Sequence, residues 1–273
     1  MKKFLALLLI LPMMALLAGC GNNTSGTRGT IVVGMECEYQ PFNWTETAQT
    51  ETNVPIDNMP GAYAEGYDVQ VARRIASELN MDLKIKAIAW DGLIPALQAG
   101  EIDLIIAGMS PTAERKQTID FTDSYYRSTH VILLKSDSTY SSATTLDGFA
   151  GANVVGQLGT IYAELAEQLS THGATLKPEM DTVPQIVNAI LSGTVDVTVL
   201  EEPVAIGICA QNSSLTYITP TDGFDVADED VVVSIGVRKG YSLTQEINNV
   251  LNNVLTQEVR NQLMLNATSA GEQ

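Results

Sequence analysis

Histidine, cysteine and cations are scarce in this chain, and each scarcity removes a class of function. There are 2 histidines and 3 cysteines in 273 residues. His130 and His172 have no motif partner, and no Cys-x-x-Cys or Cys/His spacing occurs. The sequence therefore carries neither a zinc-site pattern nor a thioredoxin-type redox motif. Lysine and arginine number 15 against 32 acids, for a formal charge of −17 and a pI of about 4.3. No basic patch interrupts that excess, which opposes nucleic-acid binding at long range. The glycine-rich segments lack both the lysine of a phosphate loop and the spacing of a dinucleotide motif. Nothing in the pattern calls for a metal or a cofactor. The apolar run from Phe4 to Leu17 is too short for a comfortable membrane span.

That run reads as part of an export signal. Lys2 and Lys3 precede it, and Leu17-Ala18-Gly19-Cys20 follows, with a cysteine where a small-residue cleavage site belongs. The pattern resembles a bacterial lipobox, for which residues 1–20 are the signal peptide and Cys20 becomes the acylated N-terminus. The other reading is an ordinary signal with a chance cysteine. Removing Lys2 and Lys3 takes the charge from −17 to −19. Stable anchoring needs more than one acyl chain, and bacterial lipoproteins carry several. Residues 21–29, rich in Gly, Asn, Thr and Ser, read as a flexible tether. Cys37 and Cys209 read either as small buried side chains or as an extracytoplasmic disulfide.

What the chain does have is 45% hydrophobic residues, enough for one or two packed domains. Strand and helix signals alternate, which indicates an α/β class. Thr30 to Met35 is a β-branched run. Thr45 to Glu65, with Pro55, Pro60 and Gly61, reads as a loop. Val69, Ala72, Ile75, Ala76 and Leu79 form the apolar face of a helix over 68–79. Leu83 to Ala89 alternates like a strand, and Ile102 to Ala107 reads as a buried parallel strand. Leu243 to Met264 reads as one helix.

A weak internal repeat is the most informative feature. A helix over 94–98 stops at Gly100, and a strand starts at Ile102. A second helix–glycine–strand unit follows, with its glycine at Gly193 and its strand at Val195. The glycines are 193 − 100 = 93 residues apart. Each suits a left-handed C-cap, and each is followed by an Asp-bearing apolar strand. Two such units imply two lobes of similar construction with a cleft at the carboxyl ends of their strands. Val131 to Leu134 and Val231 to Val237 are candidates for strands that cross between lobes.

Three segments offer groups for an anion and a cation. In Gly108-Met109-Ser110-Pro-Thr112-Ala-Glu-Arg115, hydroxyls and open N–H groups favour an anion, and the Arg115 fork suits a carboxylate. The same spacing also reads as a cap, with Arg115 on a solvated face. Gly156-Gln157-Leu-Gly159-Thr160 is a second strand–turn–helix start. Glu201, after the second repeat strand, can face an ammonium, although an acid at a helix N-terminus is favoured in any case. Tyr39, Phe42 and Trp44 cluster after the first strand, and Trp90 follows another. Aromatic walls can hold an aliphatic or cationic side chain. Phe42 and Trp44 read as core.

Gly66-Tyr67-Asp68-Val69, the run from Gly92 to Leu97, the segment Ala107 to Arg115 with Asp120 to Tyr126, and the turns at Gly156–Thr160 and Gly193–Asp196 together resemble the polar amino-acid-binding proteins of ABC importers, solute-binding family 3. The likeness runs from about Thr30 to Leu265. It implies a two-lobed periplasmic-binding-protein-like clamp of type II with a discontinuous first lobe (30–131 and 234–269; second lobe 132–233). It also implies a ligand site. Arg115, Ser110, Thr112 and Thr160 would hold an α-carboxylate, and Glu201 with the Gly108 carbonyl would hold the α-ammonium. Met109, Gly159 and Gln157 line the same segments. Tyr39 and Trp90 are walls for the ligand side chain, and Glu36 meets its polar or cationic tip. Glu201 stands where the family usually has Asp, and Gln70 where it usually has an acid. Arginine or lysine is the expected ligand, with glutamine next. The implied partners are a permease and its ATPase, and the protein itself is expected to be monomeric. A ligand sensor and a dehydratase-like enzyme are the alternatives on this fold.

Overall fold

The computed structural model describes residues 27–270. Cys20, the signal and most of the tether therefore lie outside the described residues. Among the described residues, no helix is long and apolar enough to cross a membrane.

The chain opens with β1 (Thr30–Met35), whose inward residues Ile31, Val33 and Met35 are buried. It then makes an excursion through β2 (Glu38–Tyr39), β3 (Asn43–Glu46), β4 (Val54–Pro55) and β5 (Tyr63–Glu65). These four form a small antiparallel sheet in the order β2-β3-β5-β4. The segment expected as loop over 45–65 is mostly turn and irregular backbone, tied by strand residues only at 45–46, 54–55 and 63–65. Its strands are 2 to 4 residues long, too short to show a period of two. Gln70 pins this sheet to the next helix, donating to the Thr52 carbonyl at 2.9 Å and to Glu65 at 3.1 Å.

Next come α1 (Tyr67–Glu78), β6 (Asp82–Ala87), a 3-10 turn at Trp90–Gly92, α2 (Leu93–Ala99), β7 (Leu104–Ile105), α3 (Arg115–Thr118) and β8 (Asp120–Arg127). The ladder engages only two residues of the run expected over 102–107. The chain crosses at 128–129 into β9 (His130–Lys135), a 3-10 turn at Leu146–Phe149, β10 (Asn153–Val155), α4 (Ile161–Thr171), β11 (Thr175–Leu176), α5 (Val183–Ser192), β12 (Val197–Glu201), α6 (Glu202–Gln211) and β13 (Leu215–Ile218). It returns through 219–231 to β14 (Val232–Val237), then α7 (Thr244–Asn253) and α8 (Gln257–Ala270). The single helix expected over 243–264 is broken at 254–256. Its apolar stripe continues across the break, where Leu255 is buried. Periodicity alone does not see such an interruption.

The two large sheets run β6-β1-β7-β14-β8 and β11-β10-β12-β9-β13. In each, the first three strands are parallel and the last two pair antiparallel to their inner neighbours. β14 comes from the end of the chain and sits between strands of its beginning, so the first lobe is discontinuous. β9 and β14 each stay within one sheet, and the crossings are the irregular segments beside them.

The sequence repeat has a structural basis. Gly100 and Gly193 both adopt left-handed C-caps, with φ of 77° and 76°. Each precedes the central strand of its sheet, β7 or β12. Asp103 accepts from the Val32 N–H of β1 at 3.0 Å, and Asp196 accepts from the Asn153 N–H of β10 at 2.8 Å. Each aspartate thus fastens the repeat to the neighbouring parallel strand. The fold is a two-lobed α/β clamp of type II.

Candidate functional site

Both lobes aim the carboxyl ends of their parallel strands at the cleft, where side chains of open α/β sheets meet ligands. β1 ends at Met35 and delivers Glu36. β7 runs out into 106–110. Across the cleft, β10 delivers 156–160 and β12 ends on Glu201.

Gly108 lies in the left-handed region at φ 64°, and a Cβ there would stand 3.2 Å from Cε1 of Tyr39. The Tyr39 ring lies against this backbone and stacks on Phe42 at 5.6 Å between centroids. Its buried hydroxyl has no partner among the described residues. Phe42 is fully buried, while Trp44 is half-buried and packs on the core. Met109 is buried, and its carbonyl accepts from the Ser234 N–H at 2.9 Å. Ser110 donates its hydroxyl to the Asp230 carbonyl at 3.2 Å.

Arg115 answers both readings of its spacing. Its N–H donates to Thr112 Oγ1 at 3.3 Å, so the local cap exists. Its guanidinium is nevertheless turned into the cleft. Nη1 donates to the Ser110 carbonyl at 2.9 Å, and Nη2 donates across the cleft to the Gly159 carbonyl at 3.2 Å. Cζ stands 5.1 Å from the Trp90 ring centroid, a cation–π distance. Burial lowers the Arg115 pKa from its ordinary value, yet arginine remains charged. Trp90 donates Nε1 to the same Gly159 carbonyl at 2.9 Å.

On the second lobe, Thr160 caps α4. Its hydroxyl accepts from the Tyr162 N–H at 3.2 Å and donates to the Gln157 carbonyl at 2.8 Å. The amide of Gln157 donates to Glu36 at 2.8 Å and to the Asp181 carbonyl at 3.1 Å. This bond and the Gly159 contacts hold the two lobes together. Burial raises the Glu36 pKa to about 7 against the opposing effect of the Gln157 bond. Glu201 is 2% exposed, and its Oε2 has no partner among the described residues. Burial raises its pKa to about 8.

Two openings flank Trp90. One of about 490 Å³ is bounded by Trp90, Met109, Thr112, Arg115, Gly159 and Thr160, among others. The other, about 270 Å³, is bounded by Glu36, Trp90, Leu158 and Asp181, among others. Trp90 lines both openings, with Arg115 in one and Glu36 in the other. Another groove, about 580 Å³, lies between Trp44 and Met59 on one side and Val187 and Ile208 on the other. It contains none of the residues expected in the site.

Glu201 lines neither opening, and its neighbours are residues that the sequence did not single out as site members. His130 is its direct partner in the antiparallel ladder, and the His130 ring packs edge-on to Tyr162 at 5.9 Å. Cys37 and Cys209 are both unbonded. Burial raises the Cys37 thiol pKa to about 12, which leaves it a small buried side chain.

A profile of the bacterial extracellular solute-binding proteins, family 3, matches residues 31–264. The arginine-binding extracellular protein ArtP of Bacillus subtilis is 30% identical over 255 residues, covering 92% of each chain. A crystal structure of an amino acid ABC transporter substrate-binding protein from Streptococcus pneumoniae bound to L-arginine is similar at TM-score 0.76 and 26% identity. That match covers 88% of this chain and 94% of the other. An ancestral arginine-binding protein bound to glutamine is similar at TM-score 0.71 and 29% identity, covering 87% and 96%.

Proposed function

The chain belongs to the bacterial extracellular solute-binding proteins of family 3, and from that premise we propose that it captures a free polar or cationic L-amino acid outside the cytoplasm. We assign it to an ABC importer, whose permease and ATPase receive the closed, loaded clamp. Arginine or lysine is the favoured ligand and glutamine the next. The lobes are taken to divide at the two crossings, 128–129 and 219–231, rather than at 131/132 and 233/234 as expected from the sequence, because β9 and β14 each lie wholly in one sheet. Cys20 is taken as an acylated anchor to the outer face of the cell membrane, and the protein as a monomer.

The observation that carries this reading is a part-buried arginine and a buried carboxyl group brought by different lobes. Arg115 comes from the first lobe with its fork in the cleft. Glu201 comes from the second with an unpartnered oxygen. A zwitterion satisfies both. Its carboxylate takes the guanidinium together with the N-terminus of α4, and its ammonium takes Glu201 and the Gly108 carbonyl. Desolvating two charges is tolerable only when each is paired. Trp90 and Tyr39 wall the side chain, and Glu36 with Gln157 meets its tip.

Binding first to Arg115 on the open first lobe, then closing the second lobe over the ligand, places every charge against a partner in the order it is buried. Among the described residues of the cleft, no nucleophile is hydrogen-bonded to a base. The Ser110 and Thr160 hydroxyls donate to backbone carbonyls, which supports capture over turnover.

Thermal unfolding of the chain without residues 1–20, scanned against the twenty amino acids, tests the assignment. Ligands that bind only the folded state raise the melting temperature. A rise with one or two polar or basic amino acids is expected. No rise with any, including after unfolding and refolding to strip a carried ligand, overturns it.

A further inference from the structure

Trp90 and Arg115 come from the first lobe, and their side chains meet before they reach the second. The guanidinium lies over the indole ring, with Cζ 5.1 Å from its centroid. Nη1 is tied back to the Ser110 carbonyl at 2.9 Å. The stacked pair then presents two N–H donors to one acceptor across the cleft. Trp90 Nε1 reaches the Gly159 carbonyl at 2.9 Å, and Arg115 Nη2 reaches it at 3.2 Å. A carbonyl oxygen has two lone pairs, so it can serve both.

The acceptor is fastened on its own side as well. Gly159 takes the left-handed backbone at φ 68°, a conformation that glycine adopts without a steric cost. Just before it, the Leu158 N–H donates to the Met180 carbonyl at 2.9 Å. Just after it, the Thr160 hydroxyl donates to the Gln157 carbonyl at 2.8 Å. A Cβ at position 159 would stand 3.7 Å from Cδ1 and 3.8 Å from Nε1 of Trp90, so the indole edge lies close against the turn. Donors and acceptor are each positioned by their own lobe.

All the partners of this junction belong to the protein, and none touches a ligand side chain through these bonds. We propose that the Gly159 carbonyl is a latch for the clamp: by accepting the Trp90 indole and the Arg115 guanidinium together, it draws the lobes closed with no amino acid taking part. The indole N–H makes Trp90 a positioning residue, a role separate from that of its ring face. A bond made only in the closed clamp shifts the open–closed equilibrium by roughly two- to tenfold for one neutral hydrogen bond. That shift enters the affinity for every amino acid by the same factor, whatever its side chain. The latch rests on bonds within the protein; only its effect on affinity rests on the amino-acid reading of the cleft.

Benzothienylalanine placed at position 90 through an amber codon tests this. Its sulfur replaces the indole N–H while the ring keeps its size; W90F is the second variant. The protein without ligand is followed by small-angle X-ray scattering and by its indole N–H resonances. Trp44, which donates Nε1 to Glu46 at 2.7 Å within the first lobe, is the reference. The Trp90 indole proton should exchange with water more slowly than that of an exposed tryptophan. Both replacements should shift the scattering toward a larger radius of gyration. Calorimetry should show L-arginine, L-lysine and L-glutamine weakened by a common factor of roughly two to ten. A freely exchanging Trp90 indole overturns the proposal, and so do replacements that leave both scattering and affinity unchanged. A loss confined to one amino acid also overturns it, by assigning Trp90 to the side-chain wall alone. Failure of the wild type to bind any of the three, with the scattering shift intact, overturns the amino-acid reading and leaves the latch standing.

Discussion

The Tyr125 hydroxyl donates to Asp68 at 2.7 Å while accepting the Gly108 N–H at 3.3 Å. The same carboxylate takes the Asn43 amide at 2.8 Å, and Asn43 in turn accepts the Cys37 N–H at 2.8 Å. One buried network thus fixes two cleft segments, the turn after β1 and the turn after β7, to the start of α1. Burial raises the Asp68 pKa to about 6 despite these bonds. Replacing Tyr125 by Phe leaves Asp68 one donor short in a dry site, which costs about 1–3 kcal/mol. Chemical denaturation should show that loss. Ligand affinity should fall as well, because Gly108 loses a tether; unchanged stability would mean the network is dispensable.

Arg115→Lys keeps the charge and removes the fork. The ammonium of lysine cannot reproduce two parallel bonds to a planar carboxylate, and the stacking on Trp90 is lost. Affinity for any amino acid should fall by about 3 kcal/mol or more, with little change in melting temperature without ligand. Calorimetry reads the first and thermal unfolding the second. Affinity within threefold of wild type would remove Arg115 from the carboxylate site.

Glu36→Gln tests the acidic end of the cleft. Glu36 accepts the Gln157 amide and retains oxygen lone pairs for a guanidinium or ammonium tip. The variant should lose affinity for arginine and lysine and keep its affinity for glutamine, so the ratio between them is the readout. Equal losses would assign Glu36 to closure of the lobes rather than to choice of ligand.

How much of this was legible depended on whether the chemistry is local. The Gly100 and Gly193 units were readable because a left-handed C-cap selects glycine at a fixed place and the following Asp makes the same backbone bond in both lobes. Arg115 was ambiguous because its cap with Thr112 is local, whereas its stacking on Trp90 is 25 positions away, 90 to 115, and its bond to Gly159 comes from the opposite lobe. The excursion over 45–65 reads as loop and is mostly loop; the short strand pairings within it went unseen because they are only 2 to 4 residues long. The Asn43–Asp68–Tyr125 chain spans 82 positions, 43 to 125, and no spacing rule reaches that far. His130 stood without a motif partner because its partner, Glu201, is 71 positions away in the ladder, 130 to 201. The break between α7 and α8 did leave a local signal. The Thr256 hydroxyl accepts the Val259 N–H at 3.5 Å, as an N-cap does.

Gly156 sits where β10 passes under α4. A Cβ at that position would stand 2.5 Å from the backbone N and Cα of Ala163 and from the Tyr162 carbonyl. These are main-chain atoms of a helix, so they cannot swing aside. Gly156→Ala should therefore lift the start of α4, at a cost of about 1–3 kcal/mol. It should also displace Thr160 and weaken ligand binding. Gly61→Ala, where the added Cβ meets nothing within 4 Å but φ is 84°, separates backbone strain from collision and should leave ligand affinity intact.

Glu201 makes the protein without ligand sensitive to alkali. Its folded pKa is about 8, above the value of roughly 4.3 for an unfolded glutamate. The folded state therefore holds a proton that the unfolded state releases between those values. Stability is then greatest below about pH 4.5 as far as this group is concerned, and falls as pH rises through the window to about 8. Glu36, raised to about 7, adds the same trend over a narrower range. An amino acid bound at Glu201 favours its ionised form, so binding should release a proton near neutral pH. Calorimetry in two buffers of different ionisation enthalpy measures that release directly. Glu201→Gln should flatten the fall of melting temperature between pH 5 and 8, abolish the proton release and weaken amino-acid binding together. A variant that flattened the pH profile and still bound normally would separate the buried carboxylate from the ligand, and would move the ammonium seat elsewhere in the cleft.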